Sequence, residues 1–339
     1  MSSARMLSRG SLGVLVAASL LLVGACAYRH EGLDRGQAFA ARHFTDRPNV
    51  VHPADNPPTP AKVALGRDLF NDARLSADGA RSCASCHRAD RGFGDGVARA
   101  PARSGGQLLR HTPTIWNVAH APSLFWDGRA PTLEAQALMP VMAGEELGRH
   151  PAALIDPIRA DAGYRARFAA SFPEEPEISE ATVSKAIAAY ERTLVSGTAP
   201  FDRWAAGDAK AISPAAQRGF AVFAGPGNCV ACHRGAMFTD GRFKDIGLPD
   251  ADLGRGGITG NRLRDHAFRT PSLREIGQTA PYMHDGSLPT LAAVVDHYSD
   301  RLVERPLGAR RVQLSPDQKR DLVAFLHTLD SDPSPAGDD

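Results

Sequence analysis

Large aromatic side chains are in short supply: they make up 6% of the 339 residues, against 32 glycines and 25 prolines. Such a chain is globular but loop-rich, and its own side chains offer few large apolar bodies around which a core could close. An excess of charge of one sign is also missing, since 39 Lys and Arg meet 38 Asp and Glu for a net charge of +1. That balance leaves no electrostatic footprint for nucleic acid or for an acidic membrane surface. Alternating apolar and polar residues, the mark of half-buried strands, are scarce, so the fold class reads as all-α. Beyond residue 26 no apolar run approaches the ~20 residues of a membrane-spanning helix.

Cysteine is rare too, with five in the chain, yet four of them are arranged in pairs. The stretches "RSCASCHRAD", residues 81–90, and "GNCVACHRGA", residues 227–236, each read C-x-x-C-H. This is the attachment signature of a c-type haem: two thiols add to the porphyrin vinyl groups and the histidine that follows ligates the iron. The expected attachment residues are Cys83, Cys86 and His87, then Cys229, Cys232 and His233, holding two covalent c-type haems. A zinc site split over two knuckles, or a thioredoxin-like redox pair, competes for the same cysteines, but neither needs a histidine directly after both pairs. Two haems also supply the large apolar bodies that the side chains do not.

The fifth cysteine, Cys26, closes an export signal. Arg5 and Arg9 precede "SLGVLVAASLLLVGA", which is too short to span a membrane and suits the apolar core of a signal peptide, and "LVGAC" places small residues before Cys26. Residues 1–26 are expected to be a lipoprotein-type signal peptide with Cys26 as the lipidated residue; the competing reading is an ordinary cleaved signal with an incidental cysteine. Both export the chain. Lipidation leaves no free thiol in an oxidising compartment, and Ala27 gives no inner-membrane retention signal of the Asp type. The expected location is the periplasm, with a lipid anchor at the outer membrane as the only membrane contact. The C-terminal tail, residues 331–339, reads as disordered.

Between these ends the helical period dominates. In "SEATVSKAIAAYERTLVSG", Val183, Ile187, Tyr190 and Leu194 recur at helical spacing, and Gly197 is placed to end the helix. Thr59-Pro60, Ser213-Pro214 and Ser315-Pro316 each read as a cap followed by a first-turn proline. Leu322, Phe325, Leu326 and Leu329 form one apolar stripe, and Tyr164, Phe168 and Phe172 another; both read as core. A Gly/Pro-punctuated stretch near 197–212 divides the chain into an extended N-terminal arm at 27–56, a first haem domain at 57–200 and a second at 201–330. The two domains are an internal duplication: "TPTIWNVAHAPSLFWDGRAPTLEAQ" from Thr112 aligns without a gap on "TPSLREIGQTAPYMHDGSLPTLAAV" from Thr270.

The aligned positions differ where chemistry gives them reason to. Trp126 falls opposite His284, Gln136 opposite Val294, and Pro140 opposite Tyr298. A phenol can bind ferric iron as phenolate whereas proline offers the metal nothing, so the second haem is expected to be closed by Tyr298 and the first to be open beside Pro140. Beside that opening lie Glu145 and Glu146, in "MAGEELG". Splitting the O–O bond of peroxide moves a proton from one oxygen to the other, which a carboxylate over the iron can do. A solvated loop is the plainer reading of the same pair.

The motifs "LGRDLFNDARLS", "SCASCH", "FWDGRAPTLEAQ", "AYERTL", "CVACH", "FRTPSLR" and "APYMHDGSLPTL" follow one another over residues 57–330. In them the chain resembles the bacterial di-haem cytochrome c peroxidase family, which includes the MauG-type enzymes. The resemblance implies two related c-type cytochrome domains, His87 as proximal ligand of a peroxidatic haem and His233 as that of an electron-transfer haem. It implies Trp126 as the tryptophan between the haems, and Gln136 and Glu146 as the distal glutamine and catalytic glutamate. It further implies an interdomain calcium on the carbonyls of Thr279 and Pro281, although His111 stands where the family has asparagine and calcium prefers oxygen. Tyr298 stands where the peroxidases usually carry methionine and MauG carries tyrosine; Met283 lies outside that position and reads as core. The loop after the first haem has no histidine to block the resting iron.

Three functions follow as expectations. The first is reduction of hydrogen peroxide with electrons from a c-type cytochrome or another periplasmic donor. The second is a MauG-like oxidase, in which peroxide oxidises both haems beyond ferric and they in turn oxidise residues of a partner protein. The third is a plain electron-carrying cytochrome.

Overall fold

The computed structural model describes residues 35–249 and 251–332; the expected signal peptide with Cys26, and residues 333–339 of the expected tail, lie outside them. Helices carry the structure. In the first half they are α1 over residues 35–43, α2 (Pro60–Asn71), α3 (Cys83–Cys86), α4 (Leu133–Gln136), α5 (Met139–Met142), α6 (Asp156–Ala160), α7 (Ala162–Ser171) and α8 (Glu180–Glu191). The second half follows with α9 (Pro200–Ala205), α10 (Pro214–Ala224), α11 (Arg255–Thr259), α12 (Leu291–Asp296) and α13 (Pro316–Leu326). Among the described residues the sheet is one antiparallel pair, β1 (Phe243–Asp245) and β2 (Ala267–Arg269), with Phe243 opposite Arg269.

The expected caps form. Thr59, Ser213 and Ser315 each accept a hydrogen bond from the backbone N–H three residues on, at Lys62, Ala216 and Gln318, and proline follows each where no donor is needed. These helices then cross in like pairs, α2 on α8 and α10 on α13. A Cβ added to Gly66 would stand 1.9 Å from the carbonyl oxygen of Ala186, and one added to Gly219 would stand 1.9 Å from that of Asp321. Both crossings therefore bring backbone against backbone, which glycine alone permits.

Each half closes its own core. Leu65, Leu69, Phe70, Val141, Phe168, Val183 and Ile187 are buried together in the first, and Phe201, Phe220, Phe223, Phe238 and Phe325 in the second. The scarce aromatics are thus concentrated rather than spread: Phe201, Phe220 and Phe325 lie with ring centroids 5.4–5.7 Å apart, in tilted and edge-on contact. Each such side chain, fully buried, contributes about 1.5–3 kcal/mol.

The stretch read as an extended arm departs from that reading at its start. Residues 35–43 are helical, and Ala40 and Phe44 belong to the second half's core. The reason is the aromatic cluster, where Phe44 packs edge-on against Phe220 at 5.7 Å. Arg47 then fastens the chain to the boundary, donating to the carbonyls of Ser196 and Gly197 and pairing with Asp202.

The duplication extends to unusual backbone. Asn117 and Glu275 share positive φ (58° and 61°), as do Phe125 and Met283 (65° and 75°), at positions that the gap-free alignment pairs. Left-handed backbone costs a non-glycine residue roughly 1–2 kcal/mol. Its retention in both halves marks one inherited turn, and the bridges Leu124 to Ala130 and Tyr282 to Leu288 close that turn in both places.

Candidate haem-binding active site

The two attachment motifs are built alike. Cys83 and Cys86 bracket the single turn of α3, capped by Ser82, and Cys229 opens a matching 3₁₀ turn. All four cysteines are free of disulfides, and among the described residues no three His, Cys, Asp or Glu gather as a metal cluster, which excludes the split zinc site. Burial pushes the Cys83 and Cys229 thiols up to about 12, so neither is a reactive thiolate.

The histidines settle their own tautomers. Nδ1 of His87 lies 3.0 Å from the carbonyl oxygen of Phe93, and Nδ1 of His233 lies 3.0 Å from that of Phe238. A carbonyl only accepts, so Nδ1 carries the proton and Nε2 presents its lone pair. Burial lowers the pKa of both imidazoles and keeps them neutral. A neutral imidazole with Nδ1–H held by a carbonyl is the state that ligates iron. The residues present therefore fit a c-type haem in each half.

Across from these motifs the halves diverge. Tyr298 is half-buried within a π-helical turn, His297–Arg301, of the kind that gathers at functional sites. Its neighbour His297 is turned away, with Nε2 donating to the carbonyl of Ile246 at 2.7 Å. Burial, with Cys229 and Cys232 adding to it, raises the Tyr298 phenol far above its usual range; the phenol thus lies on the second attachment motif. A ferric ion would reverse that cost by stabilising the phenolate.

In the first half Pro140 sits in α5, and the two following glutamates part company. Glu145 is exposed and accepts from the hydroxyl and amide of Ser104. Glu146 is turned inward: burial raises its carboxyl, Arg129 opposes that rise, and its charge reaches Cys83 and Cys86. Gln136, half-buried, is the last residue of α4.

Trp126 is held from both halves. Its indole Nε1 donates to the carbonyl of His111 at 2.9 Å, its own carbonyl accepts from the Arg269 amide at 2.8 Å, and its ring lies 6.5 Å from that of His284. Asp127, next in sequence, is buried and paired with Arg110 and Arg129, while Arg110 also grips Asp252 of the second half with two hydrogen bonds. Those bonds hold the Asp252 carboxyl below its usual range despite burial. Sequence reasoning missed Arg110, Asp252 and Arg269. No helical period or attachment motif marks Arg110 or Asp252.

Of the residues expected at a calcium site, Thr279 donates its hydroxyl to the Ile276 carbonyl, and Nδ1 of His111 lies 2.9 Å from the carbonyl oxygen of Val97. The imidazole of His111 offers no oxygen, the donor calcium prefers.

Two like helical halves, each with an attachment motif and a pre-set proximal histidine, define a two-domain c-type cytochrome. Residues 60–210 match the di-haem cytochrome c peroxidase family and residues 216–330 match cytochrome c. The methylamine utilization protein MauG of Methylorubrum extorquens is 43% identical over 320 residues, covering 92% of this chain and 90% of that protein. The cytochrome c551 peroxidase of Nitrosomonas europaea is 31% identical over 308 residues, covering 88% and 90%. The crystal structure of a MauG-like protein associated with microbial copper homeostasis superposes with a TM-score of 0.76 at 34% identity, covering 84% of this chain and 95% of that one. The chain belongs to the di-haem cytochrome c peroxidase family and is a di-haem oxidoreductase.

Proposed function

We propose that this protein reduces hydrogen peroxide at its first half, with electrons entering through its second. The single observation that carries this reading is the contrast across the two attachment motifs: an inward glutamate beside proline in one, a half-buried tyrosine near the cysteines of the other. The haems, when bound, supply the iron that takes up peroxide and the redox equivalents that cleave it. Glu146 accepts the proton of one peroxide oxygen and returns it to the other, help worth ~10²–10⁴ in rate. Gln136 orients the same small molecule. Tyr298 would hold the second iron through its phenol oxygen and so keep peroxide from it. Trp126, fixed through His111 and Arg269, stands between the halves as relay.

The MauG-like oxidase stands as the second reading because of Tyr298: an anionic oxygen donor stabilises oxidised iron, where methionine raises the potential. A c-type cytochrome or another periplasmic donor serves the first reading, and a co-exported protein substrate the second. The remaining finer assignments are periplasmic location, lipidation at Cys26, and a calcium ion on the carbonyls of Thr279 and Pro281 beside the two haems. Among the described residues no helix is long and apolar enough to cross a membrane.

Stopped-flow absorbance with peroxide, followed by reduced cytochrome, separates the readings. A peroxidase oxidises the donor rapidly and loses that turnover in Trp126→Leu. A long-lived spectral change in both haems, indifferent to the donor, supports the oxidase and overturns the peroxidase. Electron paramagnetic resonance of the resting protein is expected to show one high-spin and one low-spin ferric centre, with Tyr298→Phe altering the latter alone.

A further inference from the structure

The crossing of α2 on α8 and that of α10 on α13 bring each glycine against a carbonyl and a Cβ four residues apart, so the residues facing the two glycines correspond. A Cβ on Gly66 would come within 3.0 Å of the Tyr190 Cβ, and one on Gly219 within 2.7 Å of the Phe325 Cβ. Tyr190 and Phe325 are therefore the same position in the two halves. Phe325 is fully buried in the aromatic cluster, and phenylalanine gives up no electron to a biological oxidant. Tyr190 is only half-buried.

What lies beneath Tyr190 gives the difference its meaning. Its ring centroid is 5.3 Å from that of Phe70, and Phe70, itself buried, is 6.4 Å from the ring of His87. Three rings in near contact thus run from the proximal histidine of the first half to the partly exposed Tyr190. The second half keeps the middle ring, with Phe223 5.0 Å from Phe325, but its file ends in the core.

We propose that Tyr190 is a redox-active residue, the surface terminus of a path His87–Phe70–Tyr190 through which oxidising equivalents leave the first half. This rests on peroxide reacting there, as proposed above. Reduction of hydrogen peroxide to two waters takes two electrons and two protons. When the second half supplies only one electron, the phenol of Tyr190 supplies the other and releases its proton to solvent, leaving a neutral tyrosyl radical. An external one-electron organic reductant, a phenol for instance, restores it with one electron and one proton. Burial, with the Glu191 charge adding and Arg67 opposing, raises the Tyr190 phenol, so it rests protonated and its oxidation is coupled to loss of that proton.

The test uses the haem-loaded protein, excess peroxide, no electron donor and a nitrone spin trap, read by peptide mass mapping and freeze-quench electron paramagnetic resonance. The expected result is an adduct on the Tyr190 peptide and a tyrosyl signal, both lost in Tyr190→Phe. In Phe70→Leu, which leaves Tyr190 as exposed but removes the middle ring, the adduct is expected to fall several-fold while the resting ferric spectrum stays the same. A haem spectrum that changes with peroxide while Tyr190 stays unlabelled overturns this inference alone, as does full labelling in Phe70→Leu. A haem spectrum that does not respond to peroxide overturns the underlying function with it.

Discussion

The first and second halves hold their cofactors in the same way and face them differently. The bond from proximal histidine to carbonyl is 3.0 Å in both, the glycine crossings are alike, and the strained turns at Phe125 and Met283 are retained. Differences fall at side chains that meet the cofactor or the outside: Pro140 against Tyr298, Trp126 against His284, Tyr190 against Phe325, and Glu191 against Leu326 one residue further along the crossing helices. Duplication has preserved what attaches a haem, whereas divergence has settled what can reach it. Changes at the preserved positions should therefore cost stability, and changes at Pro140, Trp126, Tyr298 and Tyr190 should alter chemistry.

The sharpest way to break that contrast is at the paired glutamates. Glu146→Gln should slow the reaction with peroxide by ~10²–10⁴, since acid–base help is lost while the haems remain attached. Glu145→Gln should be close to wild type, its carboxylate being bound to Ser104 at the surface. Stopped-flow rates decide, and a slow Glu145 variant would falsify the inward assignment. Because burial raises the Glu146 carboxyl, the rate should climb with pH through that raised value as the accepting form appears.

Glu191 offers a second cut. It is 5% exposed, one carboxylate oxygen has no hydrogen-bond partner, and burial lifts its pKa from 4.5 to about 8. Its pKa is raised on folding, so between these values the folded protein holds a proton that the unfolded chain has lost, and stability falls as pH rises. Glu191→Leu, which installs the second half's residue, should flatten that slope and stabilise the protein by ~1–4 kcal/mol at the alkaline end. Denaturant titrations at several pH values read both effects, and an unchanged slope would exclude Glu191 as its source.

Smaller effects test the shared framework. Gly66→Ala and Gly219→Ala each force a methyl group onto a backbone oxygen and should cost ~1–3 kcal/mol or more. Thermal melts of the two variants should fall together; a tolerant half would mean its crossing is looser than its twin's. Smallest are the caps: Thr59→Ala and Ser315→Ala should each cost ~1 kcal/mol by the same measurement.

Local chemistry was legible in the residues themselves. The attachment motifs, the capped helices and the repeat follow from spacing alone, because each is decided within a few positions of chain. The choice between Glu145 and Glu146 needed the family resemblance, since adjacent residues on a loop carry no periodicity to say which turns inward. Tyr190, read as part of a core stripe, does pack on Phe70, but no helical period reveals that it stays only half-buried. Least legible were pairings across long distances in sequence. Nothing near Arg110 announces Asp252, and nothing in residues 35–43 announces a seat among phenylalanines from the far half.

That seat bears on how the polypeptide is threaded. Gln37 near one end of the described chain donates to the Trp204 carbonyl, and Asp332 at the other end pairs with Arg203, so both ends converge on α9. A chain whose ends converge can be re-spliced: a short linker joins them and a new opening is cut in the exposed loop at 206–210. In such a permutant the second half comes first, α1 follows it directly, and the first half is made last. The second core would then form early around α1, with Phe201 and Trp204 of α9 added last, a design in which the order of folding is changed and the architecture is not.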